Sequence, residues 1–218
     1  MGRWKALLKG KGTTVVRSRS LIPLPKVTDA ALDEFEKKIG VPLPLSYRSF
    51  IKLFGPGELA WKYRIYAPGD PRLNPFVEIA SYNQSIAKDL AKPGFKNWKD
   101  LPRLKRMIFF CRTDEAEWIG WDTEDVRDRK KHEYGIYTTT RHREVKELAD
   151  SFEDFILNVC LSKSNLNIPG WDVEELGPRN IFDPAGDISG DDTDPSYPKP
   201  PPKRRGRKKK RGRSGKSR

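Results

Sequence analysis

Histidine and cysteine are scarce, two of each in 218 residues. Cys111 and Cys160 have no metal-ligand spacing, which excludes ribbons and fingers built on clustered thiols. Each sits in an apolar stretch, so both read as buried reduced thiols rather than a disulfide, and the expected compartment is cytosolic. His132 and His142 lie in charged segments without a neighbouring serine or thiol motif, so they build no triad and read as solvated side chains. No Gly-rich phosphate loop is present, because Gly55-x-Gly57 is too short and lacks the Lys-Ser/Thr ending. Asp187 to Asp194 lacks the spacing and closing Glu of an EF-hand loop. No apolar run reaches membrane-spanning length, and the N-terminus has basic residues without a sustained apolar core, so neither a membrane partner nor a secretory signal is expected. These absences leave no constellation for an enzyme and no expected cofactor or metal.

Apolar residues are also few, 36% of the chain, and the mean hydropathy of −0.76 agrees. Part of the chain must therefore be solvated, and one domain with extensions is expected. The net charge of +13 is unevenly placed. Residues 195–218 hold twelve Lys or Arg and no acid, while residues 172–194 hold eight acids and one Arg. From about residue 185 the tail is expected to be disordered, since it cannot bury enough apolar surface to offset its ordering entropy.

What the sequence does have is a strong amphipathic stretch, residues 28–54. Tyr47, Phe50, Ile51 and Phe54 recur at i, i+3, i+4 and i+7, one continuous helical face. Pro44 suits the first helical position, and Gly55-Pro56 stops the helix. Before it, Ala31, Leu32, Phe35 and Ile39 form a second stripe, capped by Thr28 or Asp29 and closed by Gly40. Two short helices cannot bury such stripes on each other alone, and the chain after Gly55 supplies strands to cover.

The same stretch carries a family likeness. An acidic amphipathic helix, Gly40, then Leu43-Pro44-x-x-Tyr47-Arg48-x-Phe50 resembles the signature of the SUKH superfamily, which includes the fungal Smi/Knr cell-wall-assembly regulators and many bacterial immunity proteins. Phe109 to Asp122 and Ser151-Phe152-x-x-Phe155 are similar to its hairpin and closing helix. The resemblance implies a partner-binding domain without catalysis, in bacteria one that neutralises a toxin by occluding it.

Along the chain, residues 1–27 read as an extended N-terminal arm, docked through Trp4 and Leu7 or mobile. Glu58 to Tyr66 alternates as one half-buried strand, with Leu59, Trp61, Tyr63 and Ile65 on one side. Tyr82, Ile86 and Leu90 space a helix, and residues 95–106 read as basic and irregular. Met107 to Cys111 and Glu117 to Asp122 form a hairpin around Thr113 to Ala116. Residues 122–131 read as a charged loop, and Tyr134 to Thr140 as a strand. Ser151 caps a last helix with the stripe Phe152, Phe155, Ile156, Val159. The expected fold class is α+β, a single mostly antiparallel sheet with helices packed on it, over residues 28–162, followed by an acidic Pro/Gly-rich linker (163–194) and the basic tail (195–218).

Two partner surfaces are expected. For a protein partner, an aromatic and basic sheet face with the neighbouring hairpin offers Trp61, Lys62, Arg64, Tyr66, Asp114, Glu115, Glu117, Trp118 and Trp121. Plain packing is the competing reading for Trp61, Tyr63 and Tyr137, and ordinary hairpin-tip acids for Asp114, Glu115 and Glu117. For nucleic acid or another polyanion, the tail offers Lys203, Arg204, Arg205, Arg207, Lys208, Lys209, Lys210, Arg211 and Arg213. Its two Arg-Gly-Arg units resemble AT-hook cores without the usual following proline, so phosphate contact through counterion release is expected rather than sequence preference. The same run would serve nuclear import in a nucleated host. A solubilising tail is the competing reading.

Overall fold

A computed structural model describes residues 2–15, 26–69, 78–139, 144–166 and 180–184. The basic tail lies outside the described residues, as does the acidic block apart from residues 180–184.

The chain opens with helix α1 (Gly2–Gly10) and a short strand β1 (Thr14–Val15). The expected extended arm therefore begins as a helix over its described residues 2–10. It docks through Trp4 and Leu8, 4% and 1% exposed, with Leu7 only partly buried. Helices α2 (Asp29–Ile39) and α3 (Leu45–Phe54) follow. Thr28 is the cap of α2, its hydroxyl accepting from Ala31 N at 3.2 Å, and Gly40 closes the helix at φ 75°, a conformation glycine adopts without penalty.

The stretch read as one strand is a tight hairpin, β2 (Gly57–Leu59) and β3 (Tyr63–Ile65). Ala60 and Trp61 turn the chain with φ of 56° each, which alternation alone does not signal. Helix α4 (Ile79–Leu90) is followed by α5 (Leu101–Arg106), a helix in the segment read as irregular. Then come β4 (Met107–Thr113), β5 (Trp118–Asp128), β6 (Glu133–Thr139) and β7 (Val145–Ala149). The charged stretch read as a loop is largely the outer half of β5. A strand leaving the core needs no apolar alternation, because its backbone pairs while its side chains meet water. The helix expected after Ser151 begins as α6 (Phe152–Asp154), capped by Ser151, and continues as a π-helix over Phe155–Cys160. Helix α7 (Lys163–Leu166) and strand β8 (Ile181–Pro184) complete the described chain.

The eight strands among the described residues form one sheet in the order β1-β8-β2-β3-β4-β5-β6-β7, antiparallel except for the β1–β8 pair. The α+β architecture stands. The sheet reaches beyond residues 28–162, because β8 pairs with β2 on one side and β1 on the other.

Both faces are covered. On one, α1, α2, α3 and α6 bury an aromatic core in which Tyr47 and Phe50 of α3, Phe110 and Trp121 of the sheet, and Phe152 are each 0% exposed. Rings meet edge to face, as at Tyr47–Trp121 (5.1 Å) and Phe50–Phe152 (5.4 Å), the arrangement that ring quadrupoles favour. On the other, Ile86 and Leu90 of α4 and Leu104 of α5 pack with Met107, Phe109 and Tyr137. Phe109 and Phe110 alternate to opposite faces, and the bulge between Phe109 and Cys111 puts Phe110 and Cys111 in the same core.

Candidate functional site

The second covering layer changes the reading of the expected partner face. Trp121 is 0% exposed and stacks on Phe110 at 4.9 Å, inside the core. Tyr66 is 4% exposed and lies flat on Tyr82 with ring centroids 4.0 Å apart. Neither can meet a partner. Both are corrections, with one physical cause: helices occupy both sides of the central strands, so alternation does not send aromatics to water. Trp118 is half-buried, packed against Phe95 and Phe109.

The remaining predicted residues gather at one end of the sheet. The turns of two hairpins, β2–β3 and β4–β5, join where Asp114 N donates to Lys62 O at 2.9 Å. Asp114 and Glu115 are exposed, while Trp61, Lys62, Arg64 and Glu117 are half-buried. Lys62 Nζ sits 5.6 Å from the centre of the Tyr63 ring. Glu58, Arg64 and Arg112 are cross-strand neighbours, with Asp183 opposite Glu58. Burial pushes the Glu58 carboxyl above its ordinary range, Asp183 and Asp114 add to the rise, and Arg64 opposes it.

A larger feature lies elsewhere, and sequence reasoning missed it. A cleft of about 770 Å³ opens between α1, the start of α3, the β5–β6 turn and the start of α6. Trp4, Leu45 and Leu53 supply its apolar lining, and Ser46 and Ser49 its hydroxyls. Leu45 is 47% exposed, unusual for a leucine at the head of a core helix. The signal in the sequence was faint: Leu45 falls off the Tyr47-Phe50-Ile51-Phe54 stripe, so an apolar side chain there has no core to enter.

Charged groups ring the cleft, and most are held in place. Arg127 binds Asp150 at 2.8 Å, Asp125 at 2.8 Å and Glu147 at 2.7 Å. Hydrogen bonding to Asp125 holds the Arg127 guanidinium above its ordinary value. Burial alone would raise the Asp125 carboxyl, but hydrogen bonds from Arg127 and Tyr137 outweigh it and hold it below the usual carboxylate range. Arg3 pairs with Glu153 at 2.7 Å, and Trp4 Nε1 donates to Ser49 Oγ at 2.8 Å.

At the back of the cleft Glu133, 6% exposed, joins two helix starts. Its carboxylate accepts from Ser46 N (3.0 Å) and Ser46 Oγ (2.7 Å) at the head of α3, and from Phe152 N (3.3 Å) at the head of α6. Orphan N–H groups and the positive ends of two helix dipoles are thus met by one buried charge. The walls of the cleft are therefore rigid elements.

Among the described residues no group of three or more His, Cys, Asp or Glu could hold a metal ion, and no helix is long and apolar enough to cross a membrane.

No curated protein and no solved structure matches the chain. The profile of the SMI1 / KNR4 family (SUKH-1) matches residues 26–158, from just before α2 into the π-helix after α6. The match takes in the Tyr47–Arg48–Phe50 helix, the meander and Glu133. With well over half of its length covered, this chain belongs to the SMI1 / KNR4 family (SUKH-1).

Proposed function

We propose that this protein is a non-enzymatic, immunity-type module that neutralises a toxin by occluding it, and that the α1–α3–α6 cleft is where it grips that partner. Domains of this family are protein-interaction modules. The observation that carries the reading is Leu45, 47% exposed on a rigid helix and ringed by fixed charges of both signs. An apolar anchor inside a polar rim is the anatomy of a binding hot spot. The joined hairpin turns around Lys62 and Asp114 form a second contact region, at the other residues the sequence singled out. Residues 28–162 hold 22 Lys or Arg and 22 Asp or Glu, so this domain lacks the acidic excess that would complement a basic nuclease.

The test is co-expression with a toxic protein encoded beside this gene, scored by growth and by binding of the purified pair. The parent chain restores growth and binds. Leu45→Arg loses both while keeping the parent's thermal stability, since the side chain already faces water. A Leu45→Arg variant that still protects would move the site away from the cleft.

A second reading concerns the tail. Residues 195–218, with twelve Lys or Arg and no acid, tether the module to nucleic acid. Replacing Lys203, Arg204, Arg205, Arg207, Lys208, Lys209 and Lys210 by glutamine in the full-length chain abolishes retention on DNA under this reading and leaves partner binding intact.

A further inference from the structure

We propose that the layer made by α4, the turn after it and α5 is a nucleic-acid-binding face of the folded domain, making phosphate contacts of its own. The proposal rests on the tail reading above and extends it from the tail to the domain.

Residues 88–106 hold seven Lys or Arg against two Asp. The structure sorts these cations into two kinds. Arg106 forks onto buried Asp122 at 2.7 and 2.8 Å, and Arg103 reaches the same carboxylate at 3.2 Å while lying 4.5 Å over the Tyr137 ring. These two are spent on holding α5 to β5. Lys92 pairs with Asp89 at 2.5 Å. Lys88, Lys96, Lys99 and Lys105 are exposed and make no ion pair among the described residues.

The backbone that carries the four lysines is fixed. Ile86 and Leu90 anchor α4, and Leu104 anchors α5. Between them Phe95 packs on Trp98 at 4.5 Å and on Trp118 at 5.9 Å, stapling the turn from which Lys96 and Lys99 project. Charges presented from a rigid layer bind without the ordering cost of a free segment.

The chemistry favours phosphates over carboxylates on a protein. No guanidinium fork is left to grasp a single carboxylate in bidentate fashion, whereas spread ammonium point charges suit a uniform row of phosphates. The acid-free tail of the same chain would deliver the domain to such a polyanion at high effective concentration. Contact of this kind is independent of base sequence.

The experiment measures binding of the full-length chain to a short fluorescent DNA duplex over a range of salt. Lys88→Gln/Lys96→Gln/Lys99→Gln/Lys105→Gln is compared with a control of equal charge change, Lys5→Gln/Lys9→Gln/Lys37→Gln/Lys38→Gln, and with the tail-neutralised variant above. At about 0.9 per phosphate contact, the first variant lowers the slope of log K against log salt by about three to four, and the control by less than one. DNA also protects the four lysines from acylation, read by mass spectrometry. Equal losses in flank and control variants would overturn the proposal, as would protection by polyglutamate equal to that by DNA. Loss of binding in the tail variant alone would sink the proposal while sparing the tail reading. Loss in the flank variant alone would do the reverse.

Discussion

The hydroxyl of Tyr47 donates a 2.7 Å hydrogen bond to the backbone carbonyl of Tyr66, so the signature helix α3 is bonded to the end of β3 through the core. Tyr47 is 0% exposed, with its ring against Phe110, Trp121 and Phe152. The ring fills volume and the hydroxyl satisfies a buried carbonyl, and substitution separates the two roles. Tyr47→Phe leaves that carbonyl without its side-chain donor and costs about 1–3 kcal/mol. Tyr47→Ala adds a cavity and costs about 3–5 kcal/mol. Urea denaturation measures both. A Phe variant as stable as the parent would show that the bond contributes nothing.

The neighbours of Tyr47 show how far the sequence was legible. Phe50 faces the core as its spacing implies, and Arg48, next along, turns outward to bind Asp33 at 2.7 Å, Glu36 at 2.9 Å and Asp29 at 3.3 Å. One arginine of α3 thus gathers three of the four acids of α2. Periodicity exposes this helical logic because it is local. It fails at Trp61, where a positive φ makes a turn inside an alternating stretch, and at β8, whose pairing is dictated by β1 and β2, strands far off in the chain. Tyr66 and Trp121 read as surface because alternation cannot tell a solvated face from one under a second layer of helices. The cleft was invisible because its parts, Arg3, Leu45, Arg127, Glu133 and Asp150, come from five segments.

Glu133 is the most exacting of those parts. Glu133→Gln keeps size but offers one acceptor oxygen where three donors converge, and turns an N–H toward them. It costs about 1–3 kcal/mol. Ser46→Ala, which removes a single donor and leaves the backbone bonds, costs about 0.5–1.5 kcal/mol. Equilibrium denaturation of the two variants fixes the order. A Gln variant milder than the Ala variant would mean that the carboxylate is not the joint between α3 and α6.

Gly57 tests whether β8 is seated on β2. A Cβ there would run into the carbonyl of Asp183, with Phe182 Cζ at 2.8 Å and Pro184 Cα at 2.9 Å, so backbone must move. Gly69 has nothing within 4 Å of its added Cβ and serves as control. Gly57→Ala destabilises by about 1–3 kcal/mol through overpacking, and Gly69→Ala is near neutral. Hydrogen exchange adds a local readout. Ala60 N, which donates to Ile181 O at 2.9 Å, exchanges faster in the Gly57 variant only. Equal exchange in both variants would separate β8 from the sheet.

Alkaline pH should unfold this domain through its tyrosines. Burial is the leading cause that pushes the phenols of Tyr47, Tyr63, Tyr66 and Tyr82 above their ordinary value. A group with a raised folded pKa contributes stability that is fully present below its unfolded pKa. That stability is lost as pH climbs from the unfolded value, about 10 for tyrosine, through the folded one. The unfolded chain releases these protons first, so each further unit of pH above about 10 favours it by up to about 1.4 kcal/mol per phenol. Phenolate absorbance followed against pH, alongside circular dichroism, distinguishes the outcomes. The buried tyrosines ionise together with the loss of structure, in one steep step above the titration of an exposed phenol. In Tyr82→Phe, which removes one such group at the Tyr66 stack, the step moves to higher pH. Smooth ionisation of all tyrosines near pH 10 with the fold intact would mean that the core admits water, and that the covering layer of α4 does not seal this face.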